Sequence, residues 1–128
     1  MKGITPIIVH PERNKEFIEN PTMLYEFVKR GALTQVTAGS VAGKAGKSVQ
    51  KFSMQLIELH LTHFIASDVH NINSWPYYMT KAFGIIRKEF GVDMADLFLY
   101  NAEQLVANKP VHKEQPIRMK KKKILGIF

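Results

Sequence analysis

Apolar positions follow two alternating patterns along the chain. Three short runs rich in β-branched residues, "TPIIVHP" (5–11), "ALTQVTAGS" (32–40) and "THFIASD" (62–68), read as buried strands. Between and after them, apolar residues recur at helical spacing. Met23 or Leu24, Phe27 and Val28 form one stripe within 15–31, which Gly31 closes. Val49, Phe52, Leu56 and Leu59 form a second in "KSVQKFSMQLIELHL", the clearest helix of the chain. Met79, Phe83, Ile86 and Phe90 form a third over about 77–90. Pro21 suits the first turn of a helix capped by Asn20. One further helix, or a pair, is predicted over 93–108. There Asn101 reads as the cap of a fresh start, with Gln104 at the capping-box position.

The resulting order, β-α-β-α-β-α-α, predicts an α/β fold. It has about three parallel strands joined by crossover helices, with additional helices at the carboxyl end. Parallel strands are buried on both faces, which suits their continuous apolar character. A sheet of three strands leaves two open edges, so self-association through an exposed strand edge is expected. The pattern divides the chain into a body, 1–109, and a basic tail, 110–128.

Composition narrows the function classes. The chain has 128 residues, enough for one small domain but short of the roughly 200 that a closed α/β barrel needs. No run approaches the ~18 apolar residues of a membrane span, and "MKGITPIIVHPE" does not read as a secretory leader. Without cysteine there is neither a disulfide framework nor a thiolate metal site. A cytoplasmic location is expected. The net charge of +7 is local: Arg118 and Lys120–Lys123 supply five of the 18 basic side chains. Residues 1–117 hold the other 13 against 11 acidic ones, so the body is nearly neutral. A nucleic-acid-binding domain spreads its cations over a folded face, and no nucleic-acid partner is expected. The lysine run followed by "ILGIF" suits peripheral contact with anionic lipid at the inner face of the membrane, or equally a solvated tail.

The chemistry-bearing residues gather at strand ends. In parallel α/β folds the functional groups lie at the carboxyl ends of the strands. His10 ends the first strand, Ser40 follows the second, and Asp68 and His70 end the third. Asp68 and His70 stand two apart and point to the same side in an extended segment. Imidazole and carboxylate together suit zinc, manganese or iron. Arg13, three residues past His10, has the planar fork that holds an anionic substrate. Glu12 reads as a solvated loop acid. His60 and His63 fall on the opposite side of the sheet and read as surface or structural residues. "GSVAGKAGKS" (39–48) is not a P-loop, because Val41 stands where that motif requires glycine. It reads as a flexible connection whose backbone N–H groups, with Ser40, could touch an anion.

The stretches "TPIIVHPERN", "TQVTAGSVAGKAGK", "HFIASDVHN" and "KKKKILGIF" together resemble the tyrosine phosphatases of the polymerase-and-histidinol-phosphatase (PHP) superfamily. These are manganese-dependent enzymes of Gram-positive capsule and exopolysaccharide clusters. The resemblance covers essentially the whole chain and implies a partial (βα) barrel of PHP type with metal ions at its mouth. It implies His10, Asp68 and His70 as metal ligands and Asp68 and Arg13 as catalytic residues, Arg13 on the phosphate. The implied substrate is the phosphorylated tail of a bacterial tyrosine kinase that controls polysaccharide synthesis.

Two departures stand against that pattern. The amino-terminal "H-x-H" and "D-D-G" stretches of the family have no counterpart here, so 1–109 corresponds to the carboxyl-terminal half of the barrel. Trp75 stands before Pro76 where the family commonly has arginine. Three ligands from one side make at most one open site, so the chain alone is expected to be a very poor phosphatase. The other readings are a non-catalytic binding module and a degenerate remnant of the enzyme.

Overall fold

The computed structural model describes residues 5–67 and 75–119, with the side chains of 75–77 set aside. Three strands, β1 (Ile7–Val9), β2 (Leu33–Thr37) and β3 (Phe64–Ala66), form one parallel sheet in the order β1-β2-β3. Ile7 starts level with Leu33, whereas Phe64 enters opposite Gln35, where β1 ends; the strands are parallel, so their carboxyl ends point to the same end of the sheet.

Among the described residues six α-helices accompany the sheet: α1 (Lys15–Glu19), α2 (Pro21–Lys29), α3 (Ala38–Ala42), α4 (Lys47–Glu58), α5 (Trp75–Phe90) and α6 (Val92–Val106). The region expected as one helix over 15–31 is two. Asn14 caps α1, its side-chain oxygen accepting from the N–H groups of Glu16 and Phe17 at 2.9 and 3.2 Å. Asn20 interrupts the run with an extended φ of −141°, and Pro21 opens α2. Asn20 stands at the N-cap of α2 with Pro21 in its first turn, as expected, but its side chain makes no cap bond. Gly31 does close α2, at φ 109°, a backbone position that a side chain would strain.

The stretch 39–48 departs from the expected flexible connection. It begins as α3, buried along its whole length, and ends at Gly43 with φ 96°. Asn101 is not a helix cap. It lies inside α6, 1% exposed, and its amide donates to the carbonyls of His63 and His112 while its oxygen accepts from the His112 N–H at 2.8 Å. Gln104 donates to the Pro110 carbonyl instead of closing a capping box. These bonds start a strap. Ile117 N–H donates to the Leu59 carbonyl, and Arg118 lies over the Tyr25 ring, 4.5 Å from its centroid, near Glu26. Residues 110–119 therefore pack on the body at the end of the sheet opposite the strand carboxyl ends. Lys120–Phe128 lie outside the described residues.

The core is one cluster. Val36 and Ile65 of the sheet meet Leu24 and Val28 of α2, Phe52, Leu56 and Ile57 of α4, Phe83 and Ile86 of α5, and Phe98 of α6. The predicted stripes of α4 and α5 face it. That of α2 is narrower, because Phe27 is 42% exposed and Leu24 and Val28 carry the contact. No helix among the described residues is long and apolar enough to cross a membrane.

Candidate metal and phosphate site

At the carboxyl edge of the sheet, β1 runs into a single 3-10 turn, Pro11–Arg13. His10 joins them in the left-handed region, φ 54° and ψ 42°. That conformation is doubly unfavourable. A side chain with a β-carbon resists positive φ, and a following proline pushes its predecessor towards extended geometry. Backbone held this way costs on the order of 1–3 kcal/mol and persists only where its surroundings impose it.

The surroundings are Thr37 and Glu12. Thr37 ends β2, 4% exposed, and works in two directions. Its hydroxyl lies 2.8 Å from His10 Nδ1, and its backbone N–H donates to Glu12 Oε2 at 3.2 Å. Ser40 in α3 donates its hydroxyl to the same oxygen at 2.7 Å. Glu12 has no exposed surface, and its Oε1 has no hydrogen-bond partner among the described residues. The expectation of a solvated loop acid is thus overturned. The carboxyl group of Glu12 is directed inward, where two donors from the β2–α3 junction meet it.

His10 is half-buried and tied at Nδ1. With the proton on Nδ1 given to the Thr37 hydroxyl, the Nε2 lone pair is the one left for a metal ion, and the ring is fixed by the kind of outer bond that orients ligating histidines. Arg13 is exposed, with Nη2 3.4 Å from His10 Nδ1. Ser40, expected to meet substrate, is 2% exposed with its hydroxyl engaged by Glu12. It supports the turn from beneath.

Asp68 and His70, the other expected ligands, and the Trp75 side chain lie outside the described residues. Among the described residues no three histidine or acidic side chains converge. They fit a metal ion as one oriented imidazole among several ligands, and do not form a complete site. His63 sits at the far end of the sheet, as expected for a structural histidine, and accepts from the Thr34 N–H through Nδ1 at 3.0 Å.

Comparison with known proteins places this geometry. The capsular polysaccharide synthesis family CpsB/CapC matches residues 1–107. The chain belongs to that family. It is 41% identical over 128 residues to the tyrosine-protein phosphatase YwqE of Bacillus subtilis, covering all of this chain and 50% of that protein. It is 36% identical over 127 residues to the putative tyrosine-protein phosphatase CapC of Staphylococcus aureus, covering 98% of this chain and 50% of CapC. Against the tyrosine-protein phosphatase CpsB of Streptococcus pneumoniae the identity is 34% over 115 residues, 85% of this chain and 47% of CpsB. A crystal structure from work on YwqE and CpsB, described as unique metal-dependent tyrosine phosphatases, superposes with a TM-score of 0.89 at 42% identity. It covers 94% of this chain and 49% of that one. The chain spans about half the length of these CpsB/CapC relatives. Its three parallel strands and helices form a partial fold of the PHP type seen in that neighbour.

Proposed function

We propose that this chain supplies one half of a metal-dependent phosphotyrosine phosphatase site. The observation that carries the reading is the built turn after β1, where His10 is held by Thr37 in a strained backbone and Arg13 follows on the exposed side. That the solved relative is a metal-dependent tyrosine phosphatase supports it. In this reading His10, with Asp68 and His70 beyond β3, ligates a divalent ion, manganese first, iron or zinc as alternatives. Such an ion supplies Lewis acidity and an activated water. Arg13 binds the phosphoryl oxygens through paired N–H groups and orients the phosphorus for attack. Ser40 and the buried Glu12 hold the turn. The substrate is a phosphotyrosine-bearing protein of capsule synthesis, the tail of a bacterial tyrosine kinase fitting that description.

Titration of the purified chain with manganese, read by the electron paramagnetic resonance of the free ion, tests the metal part. One weak site is expected, absent in His10→Ala and in Asp68→Ala. Binding that survives both substitutions would contradict the assignment. The chain alone should hydrolyse a phosphotyrosine peptide little faster than Asp68→Ala or His70→Ala, because most of the ligand shell is outside it.

A further inference from the structure

The turn that presents His10 and Arg13 leaves the ladder after one last bond, from the His10 N–H to the Gln35 carbonyl at 3.1 Å. Beyond it the backbone bonds are local: Arg13 N–H to the His10 carbonyl at 3.0 Å and Asn14 N–H to the Pro11 carbonyl at 3.2 Å. Such a turn is free to pivot at its junction with β1 unless a tertiary contact fixes it. Pro11 and Glu12 of the turn are both fully buried, but only Glu12 carries a polar group inward, and both of its bonds reach across the sheet to the β2–α3 junction, 25 and 28 residues away. Thr37 closes a circuit. Its N–H binds Glu12, its hydroxyl binds His10, and His10 is joined to Glu12 through Pro11. Burying a carboxylate is costly and is sustained only by donors that meet it. A residue with merely local duties would not be placed there.

We infer that Glu12 is a positioning residue, which sets the orientation of the His10 imidazole and Arg13 guanidinium by locking their turn to Thr37 and Ser40. This rests on the proposed function for its chemical consequence, but its geometry stands without it. The acceptor is what matters. A glutamine presents one carbonyl oxygen to the same two donors, whereas leucine fills similar volume and accepts nothing.

Solution NMR of the full 128-residue chain tests the geometry. The wild type should show a nuclear Overhauser effect between the His10 ring and the Thr37 methyl. Glu12→Gln should keep it. Glu12→Leu should lose it and shift the His10 ring resonances, with the methyl signals of Leu24, Leu56 and Ile86 in place. Retention of the effect in a folded Glu12→Leu chain would overturn the inference. Should Glu12→Leu fail to fold, Ser40→Ala decides. Removing one of the two donors should move the His10 ring resonances, and unmoved resonances would overturn the inference equally.

Manganese affinity in the same variants separates this from the functional reading. Loss of ~10–100-fold in Glu12→Leu with rescue in Glu12→Gln is expected. Equal affinity in all three would show that the positioning has no bearing on metal binding and defeat the inference. Absence of any manganese binding by wild type would defeat the metal reading instead, while the Overhauser effects still decide the role of Glu12.

Discussion

At the scale of the residue, His10 carries the central tension. Its left-handed backbone before a proline is unfavourable, and only its tertiary partners hold it there. Glycine at this position relieves the strain at the loss of the ring. Because alanine loses the ring too, the pair isolates the backbone term. His10→Gly should be more stable than His10→Ala by about 1–2 kcal/mol in urea unfolding, and neither should retain a manganese site. Equal stability would mean that the turn relaxes once the ring is gone. The place of His10 at the end of a strand was legible from "IIVHP", an apolar run closed by histidine and proline. Glu12 was not. An acid in a turn is usually solvated, and nothing nearby in sequence signals Thr37 and Ser40, 25 and 28 positions on.

At the scale of the element, His63 fastens β3 to β2. Its Nδ1 accepts the Thr34 N–H, and its Nε2 is buried without a partner among the described residues. Burial, and secondarily the Lys113 ammonium, lower its pKa from 6.5 to about 4. The unfolded chain therefore binds more protons than the folded one between pH 6.5 and 4, so stability falls on acidification through that window. The full loss is on the order of 3 kcal/mol. His63→Asn keeps an acceptor near the Nδ1 position and cannot titrate. Urea midpoints measured from pH 7 to 4.5 should slope less in the variant than in the wild type, and parallel slopes would contradict the role. The alternation of strands and helices was readable because short continuous β-branched runs and a 3.6-residue apolar period are distinct signals. The break at Asn20 that divides 15–31 into α1 and α2, the helix α3 and the role of Asn101 escaped it. α3 is a single buried turn of small residues, Ala38–Ala42, whose glycine and serine signal a loop. Asn101 suggested a cap because asparagine favours that place, yet here its amide ties α6 to β3 and the strap through contacts no local pattern encodes.

At the scale of the molecule, the sheet ends at β1, where Ile7 and Val9 are 38% and 52% exposed. In a parallel ladder alternate residues bond to one neighbour. The His10 N–H and the Pro6 carbonyl face β2, which turns the N–H and C=O groups of Ile7 and Val9 outward. The turn that carries the site begins at this same open edge, and the relatives extend over about twice this length. The proposed function thus assigns to this chain half of an active centre. Joining the chain to the part of YwqE that it does not match tests that claim most directly. The measurement is manganese-dependent hydrolysis of a phosphotyrosine peptide by a chimera carrying residues 1–128 in place of their YwqE counterpart. Turnover that falls at least about 100-fold in His10→Ala and in Arg13→Ala is the predicted result. A folded chimera without turnover, or one indifferent to both substitutions, would contradict it.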